Sequence, residues 1–407
     1  MTSVDSTSSS RWLLSSLAVM MLSIAGHANV TLKPLIISTY VSFLDITRSS
    51  AGFIVGIEAA ATALTIALVV SVLDRVGRRR TLIVAALLIV MGNSLSALAH
   101  SVYEIAATRI IAGIGHGAAQ AVCAAAIATF LGAERVSALV AVTVAIAGMG
   151  LMFLIPWLQG LLGPAPLFLA MAALVALPMA LMSWMPLQPA EGVQQVGAVG
   201  ETGKRRVLIA VSLTAAAFFY LSVGSFWPYA AEFGKLAGLT YQKASGAAAV
   251  AHLAAVVGAG VVMLFSKHIA KSVGVAAAIL GAIAALALLL SRSEDPGTFM
   301  LACVGFMFCW GVFYPLFMGF LSELDRSGRA NGYFFTIAMV AFAVGPTFGG
   351  AVIGLGAQRD GELTNLLWMS LLCQVPALAV VFAMTAHNRH TRSAAHESQE
   401  VASKCSA

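Results

Sequence analysis

Twelve stretches of about twenty mostly apolar residues follow one another along the 407-residue chain, separated by short charged turns. A run of that length is what an α-helix needs to cross roughly 30 Å of hydrocarbon at about 1.5 Å per residue. Inside lipid no water meets exposed peptide groups, so each run must satisfy its own by closing into a helix. The runs fall at 12–40, 49–73, 81–99, 103–131, 137–161, 166–186, 207–231, 243–265, 273–291, 298–321, 331–356 and 364–386. Composition agrees: 60% of residues are hydrophobic, 10% are charged, and the mean hydropathy is +0.92. An ordinary soluble domain is about a quarter charged.

One long hydrophilic connection, 187–206, interrupts the series and divides six runs from six. The domain expectation is a first bundle over 1–186, a linker over 187–206, a second bundle over 207–386 and a tail over 387–407. The serine-rich start lacks the basic segment of a secretory signal, so the first run is expected to stay as a spanning helix. Cytoplasmic loops hold the excess of positive charge. With the N-terminus inside, sixteen of the 23 Lys and Arg residues fall on the inner side and five on the outer, while Lys33 and Arg109 lie within apolar runs. Both termini are therefore placed in the cytoplasm. The net charge of +6 sits in short clusters between apolar runs, without a basic stripe, which argues against nucleic acid as a partner. The five cysteines are scattered, with no CxxC spacing, and read as small core residues.

The two halves repeat one another. Gly52 precedes Glu58 in the second run as Gly246 precedes His252 in the eighth, an offset of 194. Glu134-Arg135 after the fourth run is matched by Asp325-Arg326 after the tenth, an offset of 191. Two similar helical halves joined by a hydrophilic linker are the trace of a two-lobed carrier with its site between the lobes. The expected fold class is thus an all-α integral membrane protein, twelve transmembrane helices in two pseudo-symmetric six-helix bundles.

The most charged segment is "VSVLDRVGRRR", between the second and third runs, with Asp74, Arg75, Gly77, Arg78 and Arg79. It resembles the Gly-x-x-x-Asp-Arg-x-Gly-Arg-Arg loop of the major facilitator superfamily, with Val70 in place of the first glycine. In the fourth run, "ATRIIAGIGHGAAQ" is similar to that family's arginine followed by glycines, through Arg109, Gly113 and Gly117. The resemblance covers essentially the whole chain and implies an alternating-access secondary transporter. An acidic group beside arginines at a helix end can pair across the lobes in one state and release in the other, or it can anchor the loop in the cytoplasm, and both roles can hold.

Polar residues inside the runs are the candidate site, because an ionisable side chain at mid-membrane costs roughly 3 kcal/mol or more unless paired or functional. Arg109, Gly113, His116 and Gln120 are spaced to share one helical face. Arg109 is near enough to its helix end to snorkel outward or to turn inward, whereas His116 reaches neither surface easily. The first run adds His27, Asn29 and Lys33, and the middles of the second and eighth carry Glu58 and His252. Glu58, assisted by Arg109 and His252, is the candidate for proton coupling; the alternative is that these groups lock helices together.

The resemblance implies that helices one, four, seven and ten line a central cavity. The seventh and tenth runs are aromatic, with Phe219, Tyr220, Phe226 and Trp227 in one and Phe306, Trp310, Phe313, Tyr314 and Phe317 in the other. Such stripes either pack helices or stack on a flat solute. In the second case Tyr220, Trp227, Trp310 and Tyr314 would face an aromatic, heteroaromatic or vitamin-like compound, flavin-sized or smaller, hydrogen-bonded by Asn29, His116 and Gln120. Lys33 and Arg109 would favour an anionic group on it. Pro228 and Pro315 are expected to bend their helices.

Drug antiporters of the family resemble one another in a Gly-Pro-x-x-Gly-Gly stretch in helix five. This chain lacks it there and carries "GPTFGG", 345–350, in helix eleven, which favours uptake over efflux. No nucleophile elbow, phosphate-binding loop or zinc-protease motif occurs, so neither an enzyme nor a cofactor is expected. An intramembrane enzyme built on His27, His116 and Glu58, and a sensor without turnover, explain less of the chain. The expected setting is a monomer in a cytoplasmic (inner) membrane, in contact with lipid and a small-molecule substrate.

Overall fold

A computed structural model describes residues 5–127, 129–130, 133–185, 203–265, 270–325, 329–355 and 363–381. Most of the expected linker, 187–202, and the whole tail, 387–407, lie outside them, as does the side chain of Asp74. The helices in chain order are α1 (Asp5–Thr31), α2 (Lys33–Phe43), α3 (Arg48–Val76), α4 (Arg78–Ser96), α5 (Val102–Ile127), α6 (Ala133–Leu162), α7 (Ala165–Ala173), α8 (Ala176–Ala180), α9 (Gly203–Phe226), α10 (Ala230–Leu236), α11 (Tyr241–Phe265), α12 (Lys271–Ser291), α13 (Pro296–Leu324), α14 (Arg329–Leu355) and α15 (Leu363–Val381). Among the described residues there is no strand. Eleven helical segments among the described residues are long and apolar enough to cross a membrane, and the shorter apolar stretch Ala165–Ala180 stands in the sixth place.

The protein is an all-α, multi-pass membrane protein of twelve spanning segments, three of which are interrupted. The first breaks at Leu32, where Pro34 lacks the N–H that would continue the helix. The sixth is split into α7, α8 and a 3-10 turn at Met182–Trp184. The seventh passes through a 3-10 turn at Trp227–Tyr229, around Pro228, and resumes as α10, so it ends five residues beyond the expected 231. By contrast Pro315 sits inside α13 without ending it.

Helices α1 and α3 to α8 pack on one another as one half, and α9 to α14 as the other. The halves meet along α3 against α14, α6 against α11, and α2 against the 3-10 turn, α10 and α11. One end of the bundle carries the Arg75–Arg80 loop, called the basic end below. At the opposite end a continuous buried core joins the halves, through Leu35, Ile36, Ile54 and Ile155 on one side and Phe226, Tyr229 and Ala248 on the other. Toward the basic end the first half closes on a separate core of its own, including Val19, Leu22, Ile89, Val122 and Val140.

The glycines of the repeat serve the inter-half seam. A Cβ on Gly52 of α3 would stand 1.8 Å from the Tyr229 hydroxyl, and one on Gly246 of α11 would stand 2.8 Å from Phe153 of α6. Gly350, in the "GPTFGG" stretch of α14, likewise lets the Ser49 carbonyl of α3 come within 2.7 Å of a Cβ position, while Gly345 meets Gly224 of α9. Small residues let helix backbones approach closely where lipid gives no hydrophobic drive.

Candidate functional site

Arg109 turns inward. Its side chain is 0% exposed, with Nη2 ion-paired to Glu58 Oε1 of α3 and Nη1 donating to Asn93 Oδ1 of α4 at 2.7 Å. Its guanidinium carbon lies 5.9 Å from the centre of the Phe168 ring of α7. Three helices thus converge on one cation, which is what makes a fully buried charge tolerable. The neighbouring glycines bring those helices in: a Cβ on Gly113 would be 2.6 Å from the Glu58 carbonyl, and one on Gly117 would be 2.5 Å from the Thr62 carbonyl. Glu58 is 1% exposed, and its second oxygen, Oε2, has no hydrogen-bond partner among the described residues.

The rest of the polar face of α5 addresses α1. His116 Nδ1 lies 3.0 Å from the Ala25 carbonyl, with Nε2 lacking a hydrogen-bond partner among the described residues, and Gln120 Nε2 donates to the Gly26 carbonyl at 2.8 Å. His27 is half-buried, its Nδ1 3.0 Å from the Ser23 carbonyl of its own helix. Asn29 Nδ2 donates to Thr62 Oγ1 at 3.0 Å, and that hydroxyl lies 3.1 Å from the Gly113 carbonyl, so α1, α3 and α5 are stitched at one level.

Asn29, Lys33, Thr62 and Gln120 then line a narrow cleft between the halves, closed from the other side by Met339, Phe342 and Ala343 of α14, with a cavity of about 20 Å³. Lys33 Nζ stands 4.3 Å from the centre of the Phe342 ring. The aromatic candidates of the second half lie outside that lining. Tyr220 packs edge-on to Phe219, Phe313 and Phe334; Tyr314 is tilted against Phe334; Trp227 is stacked on His252 at 5.7 Å; Trp310 is half-buried. Phe219 and Phe313 stack at 3.8 Å, so much of the stripe holds α9 against α13. His252 Nδ1 is unpartnered among the described residues.

At the opposite end a polar latch joins the halves through residues the sequence did not single out. Arg48 Nε donates to Glu232 Oε2 at 3.1 Å, and Lys235 Nζ is 2.5 Å from Glu232 Oε1 and donates to Ser42 at 3.0 Å. Glu232 is 0% exposed. The Tyr229 hydroxyl lies 3.4 Å from the Arg48 carbonyl, Ser49 donates to the Gly350 carbonyl at 2.7 Å, and Tyr241 donates to Gln159 at 2.5 Å. The lone acid in "PYAAEFGK" was the available signal, hidden by ending the seventh helix too early.

At the basic end, Gly77 alone separates α3 from α4, with φ +88°, a conformation that only glycine adopts without strain. Arg78 folds back and donates to the Ala125 carbonyl in the last turn of α5 at 3.2 Å, where a helix end leaves carbonyls unsatisfied. One repeat length on, Lys271 opens α12 in the same way, donating to the Gly319 carbonyl near the end of α13 at 3.2 Å and pairing with Glu323 at 2.9 Å. Arg75 and Arg79 are exposed. Among the described residues no group of three or more His, Cys, Asp or Glu is placed to hold a metal ion.

The sequence model of the Major Facilitator Superfamily matches residues 12–386. No curated protein matches the chain in sequence. Among solved structures, a D-xylose-proton symporter superposes with a TM-score of 0.73 at 16% identity, over 91% of this chain and 97% of that one. A nucleoside transporter gives 0.70 at 15% identity (91% and 98%), and an auto-inhibited POT family peptide transporter 0.69 at 12% (90% and 96%). At those identities the likeness is one of fold.

Proposed function

The chain belongs to the major facilitator superfamily, and from that premise we propose that this transporter takes up a small organic solute by alternating access, coupled to protons through Glu58. The observation that carries the coupling is the buried Glu58–Arg109 pair, with Glu58 Oε2 left without a partner. A proton arriving at Oε2 neutralises the carboxylate and leaves the Arg109 guanidinium without its counter-charge, still bonded to Asn93 and beside the Phe168 ring. The pair lies one turn from Thr62, which lines the cleft, so protonation and the cleft share the α3–α5 contact. A buried pair that loses one charge becomes unfavourable by about 3–5 kcal/mol, enough to bias a two-state carrier.

The positive-inside asymmetry puts the basic end in the cytoplasm, with both termini, in a cytoplasmic membrane. On that orientation the outer face is latched by Arg48, Glu232 and Tyr229. The domain reading is two bundles, 1–186 and 207–386, and the working unit a monomer. The solute is a flat aromatic, heteroaromatic or vitamin-like compound. The lack of Gly-Pro-x-x-Gly-Gly in the fifth segment supports uptake; proton-driven efflux of drugs or metabolites is the second reading.

The test is accumulation of labelled aromatic acids, vitamins and cationic dyes in cells expressing the protein, with and without a protonophore. Uptake that collapses with the gradient, and that Glu58→Gln uncouples from it, is expected. Full gradient-dependent uptake by Glu58→Gln removes Glu58 from the coupling, and protonophore-reversible exclusion of dyes makes efflux the function. Asp74→Asn is expected to slow transport at normal surface abundance; unchanged turnover leaves the loop a topology anchor.

A further inference from the structure

Lys33 is the one cleft-lining side chain with a full charge, and its ammonium has no hydrogen-bonding partner among the described residues. It is 1% exposed, with the face of Phe342 on the other half 4.3 Å from ring centre to Nζ and the Glu58 carboxylate, already paired with Arg109, attracting it through space. A cation–π contact returns less than burying an ammonium costs. Arg109, the other basic residue of the region, is already committed to Glu58 and Asn93. The positive charge of the cleft is therefore concentrated at one point, the first residue of α2.

Around that point the cleft offers complementary but incomplete chemistry. Asn29 uses its amide nitrogen on Thr62 and leaves Oδ1 without a donor. Ile66, Met339 and Phe342 supply apolar walls. In this conformation the cleft is nearly shut, with a cavity of about 20 Å³, room for roughly one water, so a solute enters only when Phe342 and α14 draw back from Lys33.

Resting on the transporter reading above, we propose that the substrate is a small organic monoanion whose carboxylate binds Lys33 Nζ, with a hydroxyl or N–H donor reaching Asn29 Oδ1 and an apolar body lying along Phe342. The carboxylate competes with the Phe342 ring for the ammonium, so binding acts on a contact that bridges the two halves. A neutral isostere can still donate to the Asn29 oxygen but leaves the ammonium without a counter-charge, and a polar site rejects a ligand that fails to complete it far more strongly than an apolar one rejects a methylene.

The experiment uses the full-length purified protein and matched pairs of probes, nicotinate with nicotinamide, salicylate with salicylamide, and lactate with lactamide. Binding is read as a shift in melting temperature in detergent, and transport as uptake into proteoliposomes. At least one carboxylate is expected to stabilise the protein, with its amide weaker by at least tenfold in half-saturating concentration. Lys33→Met is expected to abolish that discrimination and Lys33→Arg to recover part of it. If Lys33→Met does not fold, the acid–amide comparison on the unaltered protein decides. Equal response to acid and amide, response to no acid, or discrimination intact in Lys33→Met overturns the proposal. Lys33-dependent binding without uptake leaves the anion site standing and removes the transporter reading. Uptake of any probe indifferent to Lys33 does the reverse.

Discussion

Gly52→Ala is the sharpest test of the seam that joins the halves at the end opposite the basic loop. The added methyl would lie 1.8 Å from the Tyr229 hydroxyl and 2.6 Å from the Pro346 carbonyl. The first is the tip of a side chain, but the second is backbone, so relief requires α3 and α14 to move apart. Overpacking of this kind costs about 1–3 kcal/mol, and about 1.4 kcal/mol is a tenfold change in an equilibrium. The conformation closed at this end is therefore expected to lose roughly five- to 150-fold in population relative to the one open there. The assay places a cysteine at Ala343, in the cleft, on a background with the five native cysteines replaced, and follows labelling by an impermeant maleimide from that side. Gly52→Ala should speed labelling by about tenfold or more, and Tyr229→Phe should take back part of the gain. Gly246→Ala is the graded comparison, since its methyl would meet only the Phe153 ring edge at 2.8 Å, and a ring can turn aside. Wild-type labelling rates in a folded Gly52→Ala protein would refute the reasoning that this notch holds the end shut.

Arg109→Lys keeps the charge but loses the fork that reaches Glu58 and Asn93 together; initial uptake at matched membrane abundance should fall by at least about tenfold. Arg78→Ala removes a charge-assisted bond to the end of α5, about 1.5–3 kcal/mol, and is read as a drop in detergent melting temperature. The Asp295 carboxyl caps α13, and hydrogen bonds from the Thr298 hydroxyl and amide hold it below the usual carboxylate range. A lowered value means a stabilising contribution that is present at neutral pH and disappears as pH falls through it. Asp295→Ala should therefore lower the melting temperature at pH 7, with the difference from wild type shrinking on acidification.

The helices were legible because apolar run length is a one-dimensional property and the membrane imposes it directly. The pairing of Glu58 with Arg109 was half-visible: each stood out as an ionisable group in an apolar run, yet one sequence does not say which helices touch. Arg109 looked equally able to reach the surface, and only the glycines at 113 and 117, by admitting α3, turn it inward. Glu232 was missed for a different reason. The apolar run ends at 231, one residue short of the acid, whereas the chain tightens into a 3-10 turn around Pro228 and carries on to Leu236, bringing the acid under Arg48. The aromatic stripes were read as open between packing and binding, and ring-on-ring contacts between α9, α13 and α14 account for much of them.

The break at Leu32 divides the allegiance of the first span. α1 packs with α5 and α6, while α2 leans on the 3-10 turn, α10 and α11 of the other half. Lys33 to Ser42 covers about 14 Å of helix, so a rotation of about 10° at the break swings Ser42 by roughly 2.4 Å. That exceeds the tolerance of a hydrogen bond and is enough to free Ser42 from Lys235. The residue at the fulcrum of this short arm is Lys33, where a small rotation is amplified into the largest displacement at the far end.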